Sequence, residues 1–190
     1  MIGIIEWGNP NAASISDLLA LRRRRSMRRH PAPTFVFVDL VGYTALTETR
    51  GDRAAARVAT EFERTMSAMS REHGAWQVKS MGDAVMVWAP DPVRAVALAG
   101  DTLDNVGTRS DLLPVRVGVH TGPAVMSGLD WYGSTVNVAA RLASEAGPNE
   151  ALVSATSHTA AGGELPRPLG RRCELHLRGL EQPVVAWRLK

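Results

Sequence analysis

The sequence predicts an α+β domain with a ferredoxin-like β-α-β-β-α-β core, extra C-terminal strands, and an antiparallel-rich sheet with helices on one face. Three observations carry this reading. Residues 34–41 read TFVFVDLV, apolar on both faces and rich in β-branched residues, as a central strand covered on two sides requires. Gly51 to Glu72 places Ala55, Val58, Ala59, Phe62, Met66 and Met69 at helical spacing. Trp76–Ser80 and Ala84–Trp88 are strand-like runs separated by Met81-Gly82-Asp83, a hairpin signature.

The remaining elements follow in order. Asp91 has the side chain of an N-cap, and Pro92 suits the first helical position, so a helix begins there with Val93, Val96, Ala97, Gly100 and Leu103 inward. Val115–His120 is a further strand, ended by the turn Thr121-Gly122-Pro123. Thr135–Ala146 is a short helix closed by Gly147-Pro148. Arg171–Leu189 supplies two more strands around Gly179. Residues 1–33 read as an arginine-rich N-terminal arm, partly disordered or helical, in which Ser14 or Ser16 caps a short helix and Pro31 and Pro33 stop it. The domain proper is expected over residues 34–190.

Composition sets the outer bounds. Across 190 residues, 45% apolar and 22% charged content is ordinary for a globular chain and excludes wholesale disorder. The single Cys173 excludes an internal disulfide and fits a reducing compartment. No run approaches the ~20 apolar residues of a membrane span, and the apolar opening precedes the arginines, the reverse of a secretory signal; a cytoplasmic location is expected. The net charge of +3 is unevenly spread. Six arginines (Arg22–Arg25, Arg28, Arg29) give the arm a balance of +4, which leaves the body at −1. The body therefore lacks the footprint of a nucleic-acid binder. The arm is first of all a solvated charge run, and contact with an acidic membrane surface is the weaker reading.

Several residues break the pattern around them. Asp39 interrupts an apolar strand, where an unpaired carboxylate is costly; it serves equally as a strand-end cap for Gly42 and Thr44. Asp83 follows a glycine in a hairpin turn, where aspartate is common for conformational reasons alone. The β-α-β-β order makes the first strand and the hairpin neighbours, so the two carboxylates can converge. A converging pair suits a hard divalent cation of the Mg²⁺ type. His30, His73, His120, His158 and His176 show no zinc-like spacing. Lys79 is one of two lysines against 20 arginines. It is either an exposed edge-strand residue or a compact donor chosen where a guanidinium would not fit. Asn137 and Arg141, at i and i+4, share a helix face, an arrangement that by itself usually means a solvated face.

Taken together, the segments FVDLVGYTAL, VKSMGDAVMVW, VRVGVHTGPAV and DWYGSTVNVAARL strongly resemble the class III nucleotidyl cyclase catalytic domain of the bacterial adenylate cyclase type, over about residues 35–189. The resemblance implies that Asp39 and Asp83 bind two divalent cations, Mg²⁺ or Mn²⁺, with the Leu40 carbonyl as a further metal ligand. It implies that Lys79 and Asp130 select adenine, and that Asn137 and Arg141 steady the ribose and the transition-state phosphate. Arg178, before Gly179, matches more loosely a basic residue for the terminal phosphates. Backbone N–H groups from Val41 to Thr44, opening a helix, are expected to cradle phosphate oxygens. The implied activity is cyclisation of ATP to 3′,5′-cyclic AMP and pyrophosphate at sites shared across a head-to-tail homodimer. A guanylate cyclase and a catalytically silent nucleotide-binding domain are the alternatives.

Overall fold

A computed structural model describes residues 32–190 of the chain, so the expected arm lies outside the described residues but for its last two positions. The elements run β1 (Thr34–Leu40), α1 (Tyr43–Arg50), α2 (Asp52–Glu72), β2 (Trp76–Met81), β3 (Ala84–Ala89), α3 (Pro92–Asn105), β4 (Val115–Thr121), β5 (Val125–Ser127), β6 (Asp130–Tyr132), α4 (Ser134–Glu145), β7 (Glu150–Ser154), α5 (Ala155–Ala160), β8 (Leu169–Leu175) and β9 (Val184–Leu189). The Asp91 carboxylate caps α3 by accepting from the Arg94 N–H at 2.9 Å. No helix among the described residues is long and apolar enough to cross a membrane.

Seven strands form one sheet in the order β2-β3-β1-β4-β7-β9-β8. The first four have the ferredoxin-like order, and each adjacent pair is antiparallel. The three extra strands extend the β4 side: β7 joins β4 in parallel, and β9 and β8 follow antiparallel. The α+β, antiparallel-rich reading therefore holds.

The layering differs from expectation in one respect. Val36, Val38 and Leu40 of β1 pack with Phe62 and Met66 of α2 and with Val96, Leu98 and Ala99 of α3, as a one-sided helical layer requires. Phe35 and Phe37 point the other way and meet Val136, Ala139 and Ala143 of α4. Helices thus cover both faces, not one. The reason is in β1 itself: Phe35 and Val36, successive residues with opposite orientation, are both fully buried, so each face needs its own cover. Gly118 on β4 makes the α4 contact close. A Cβ there would lie 2.2 Å from the Ala139 carbonyl oxygen and 2.3 Å from the Ala143 nitrogen, so only glycine lets the helix backbone rest on the strand.

A second irregularity sets the orientation of β2. Gln77 pairs with Val87, but Lys79 pairs with Met86, so Val78 is bulged out of register. An unbroken ladder would put Lys79 opposite Val85, which belongs to the α2/α3 core. The bulge places it instead opposite Met86, which belongs to the α4 face.

Candidate active site

All that follows sits on the α4 side of the sheet or at its end. Asp39 is the penultimate residue of β1, paired with Ala84 of β3 on one side and Arg116 of β4 on the other. Its carboxylate is 19% exposed and accepts from Arg116 Nε at 2.7 Å, with Nη2 2.6 Å from the same oxygen. Burial pushes the Asp39 carboxyl above the usual aspartate range; the Arg116 hydrogen bond and charge oppose this, and the Asp83 charge adds to it. Asp83 stands in the β2–β3 turn after Gly82, whose φ of 74° favours glycine. Its carbonyl accepts from the Leu40 N–H at 2.9 Å. That bond ties the end of β1 to the hairpin turn and makes the two aspartates electrostatic neighbours. This pair is the candidate cation site; among the described residues no group of three or more His, Cys, Asp or Glu side chains gathers.

Lys79 and Asp130, 51 residues apart in sequence, meet directly: Lys79 Nζ donates to Asp130 Oδ2 at 2.6 Å. The other Asp130 oxygen accepts from the Trp131 N–H at 2.8 Å. These hydrogen bonds, that from Lys79 foremost, hold the Asp130 carboxyl below its ordinary range. The lysine is 37% exposed and the aspartate 27%, so the pair is open to a ligand.

Asn137 and Arg141 lie one turn apart on α4, exposed and half-buried respectively, while Val136, Val138, Ala139 and Leu142 on the same helix are buried. The Gly179 turn passes close to Arg141, whose Nη2 would lie 3.4 Å from a Cβ at that glycine. Arg178, just before it, is exposed. Thr44 is exposed in the first turn of α1, which has no side-chain cap. One detail of the phosphate-cradle expectation is corrected: the Val41 N–H already donates to the Pro114 carbonyl at 2.8 Å, leaving the amides that open α1 as the ones free to serve.

Comparison with known proteins supplies the family. The model of the adenylate and guanylate cyclase catalytic domain matches residues 26–189. This chain belongs to that family. A pH-sensitive adenylate cyclase of Mycobacterium tuberculosis is 33% identical over 164 residues, 83% of this chain and 40% of the relative. An adenylate cyclase of Streptomyces griseus is 29% identical over 81% of this chain and 39% of its own length. The cyclase chain thus spans about 40% of the length of the curated relatives it matches. In structure it is similar to a Trypanosoma brucei adenylate cyclase in its monomeric state, with a TM-score of 0.75 at 22% identity, covering 86% of this chain and 90% of the other. It is also similar to the adenylyl cyclase CyaB of P. aeruginosa, with a TM-score of 0.69 at 22% identity, covering 83% and 93%. These two likenesses show the cyclase fold.

Sequence reasoning passed over two parts of the candidate site. Arg116 carries a signal that went unused: a lone arginine in the apolar run VRVGV, on the strand that a ferredoxin-like order sets beside the one bearing the lone aspartate of FVFVDL, points to cross-strand charge pairing. The other part is the β5–β6 ribbon that carries Asp130. It consists of two three-residue strands paired only with each other, too short to show any periodicity.

Proposed function

We propose that this cyclase domain converts ATP to 3′,5′-cyclic AMP and pyrophosphate, at sites shared between two copies of the chain arranged head to tail. The Lys79–Asp130 pair carries the reading. Adenine presents an amino donor and a ring-nitrogen acceptor on its pairing edge. Asp130 accepts from the amino group and Lys79 donates to the ring nitrogen. Guanine presents the reverse pattern and would leave both groups unpaired, a mismatch that polar sites reject by about 10⁴-fold or more.

The substrate's own 3′-hydroxyl is the nucleophile. Its proton passes to solvent, its oxygen bonds to the α-phosphorus, the bond to the bridging oxygen breaks, and pyrophosphate leaves with the electron pair. Arg141 faces the negative charge that builds on the phosphoryl oxygens, and Asn137 holds the ribose so that attack is in line. Arg178 and the α1 amides beside Thr44 are suited to the terminal phosphates. Asp39 and Asp83, with the Leu40 carbonyl, would hold two divalent cations, Mg²⁺ or Mn²⁺. Two neighbouring carboxylates at one sheet end supply the oxygen ligands that such hard ions take. Ions bound there supply acidification of the 3′-hydroxyl and a clamp on the triphosphate.

The surface supports the shared arrangement. Val125, Met126, Leu129 and Tyr132, all on the short β5–β6 hairpin, are exposed, Leu129 to 95%. Several large apolar side chains exposed on one hairpin mark a contact surface, and a second copy of the chain is its occupant in this reading. Purified protein incubated with ATP or GTP and Mn²⁺ or Mg²⁺ tests the activity. Cyclic AMP from ATP, with little product from GTP, is expected; product from GTP alone, or from neither nucleotide, overturns the proposal.

A further inference from the structure

Among the described residues the β5–β6 ribbon pairs with no other strand, and a two-stranded ribbon of this size has little stability of its own. Its orientation, and with it the position of Asp130, depends on what anchors its side chains. Trp131 is the anchor. Its indole stacks on Trp88 of β3 with ring centroids 5.7 Å apart and planes 13° apart, and meets Phe35 of β1 edge-on at 5.6 Å. Trp76 of β2 in turn meets Trp88, with ring centroids 5.0 Å apart. The rings thus join the ribbon to three strands of the main sheet, including β2, which carries Lys79. At its other end the ribbon is held more lightly, where Thr135 Oγ1 donates to the Pro123 carbonyl at 2.5 Å.

We propose that Trp131, clamped between Phe35 and Trp88, is a positioning residue that sets Asp130 against Lys79, so that an aromatic stack beneath the site governs purine selectivity. This rests on the adenine-reading role proposed above for the pair. The stack fixes a distance between two elements that share no backbone hydrogen bond, and a shift of the ribbon by an ångström opens the 2.6 Å contact. Among the described residues the buried Trp88 Nε1 has no hydrogen-bond partner, and the contacts of this indole with Trp76 and Trp131 are those of its ring. Substituting phenylalanine for Trp131 keeps an aromatic ring against Trp88 and Phe35.

The test uses the full chain with Trp131→Leu, Trp88→Leu and Trp131→Phe. Two quantities are read: the ratio of kcat/KM for ATP to that for GTP, and the titration of the Asp130 carboxyl followed by carbon NMR. Trp131→Leu is expected to lower the ratio by about tenfold, the scale of one aromatic pair, chiefly through KM for ATP, and to let Asp130 titrate nearer its ordinary range. Trp88→Leu, which removes the stack from the sheet side without touching the ribbon, is expected to do the same, and Trp131→Phe to restore most of both. An unchanged ratio and an unchanged Asp130 titration in both leucine variants would overturn the proposal. So would an equal loss of rate on ATP and GTP with Asp130 still depressed, which is the signature of a merely structural role. Failure of the cyclase reading is distinct: the unsubstituted chain would then make no cyclic nucleotide, while the Asp130 titration would still judge the clamp.

Discussion

The two faces of the sheet are built differently. The face under α2 and α3 is one continuous aliphatic core, with Val36, Val38, Val85, Val87, Val117 and Val119 against Phe62, Met66 and Leu98. The face under α4 is broken into two smaller clusters, is richer in aromatic rings, and carries the polar residues Asp39, Arg116 and Lys79 along its margin. The first face is organised for stability. The second gives up some apolar area to hold charged groups at defined positions, and holds them with devices that a continuous core would not need: a bulge at Val78, a glycine under α4, an arginine on Asp39.

Substitutions on the two faces should separate these roles. The largest effect is expected at the sheet end: Asp83→Asn should lower cyclase activity by about 10³-fold or more, since several kcal/mol of charge stabilisation is at stake, while the thermal midpoint changes little. Steady-state product formation and a melting curve check this together. Phe62→Ala on the aliphatic face should do the opposite, costing about 3–5 kcal/mol in denaturant unfolding but leaving the preference for ATP over GTP intact.

Acid should act between these two extremes. Burial lowers the His120 pKa to about 4. The unfolded chain takes up that proton at its ordinary pKa near 6.5, so stability is full above pH 6.5 and is lost as pH falls towards 4. The loss amounts to roughly 3 kcal/mol at most over that window, and His120→Gln should flatten it in unfolding curves taken at successive pH values. Gly118→Ala should strike both properties. The added methyl meets the α4 backbone, so stability should fall by about 3 kcal/mol or more, with a further loss of activity because α4 bears Asn137 and Arg141. Equal damage to activity from Phe62→Ala and Gly118→Ala at matched stability would erase the distinction between the faces.

How much of this was readable beforehand follows the same division. TFVFVDLV announces a doubly covered strand because both of its faces are apolar, and the heptad-like spacing from Ala55 to Met69 announces α2. Asp91-Pro92 marks the start of α3 through capping chemistry alone. These are local signals, written where they act. The Val78 bulge is a property of register between β2 and β3, and no residue of Trp76–Met81 declares it. The β5–β6 ribbon is too short for periodicity, and β7 (Glu150–Ser154) is a brief apolar run whose strand character comes from its neighbour β4. Helical cover of the second face was missed because α4 shows only which of its own sides is apolar, not which side of the sheet receives it. Among the candidate residues, Asp39, Lys79 and Asp83 stood out as anomalies in their surroundings. Asp130 had no local mark at all and was reached through the family resemblance; its contact with Lys79 depends on the Trp131 anchor and the bulge, both tertiary.

The sharpest test of the shared, composite cyclase site is complementation. Asp39→Ala removes a carboxylate of the proposed cation pair and Asn137→Ala the proposed ribose contact, so each protein alone should be nearly inactive. If each site takes its metal aspartates from one copy and its purine and ribose contacts from the other, mixing the two with full subunit exchange should restore about a quarter of the unsubstituted activity, the share set by random pairing. A well-exchanged mixture no more active than its components would contradict the account.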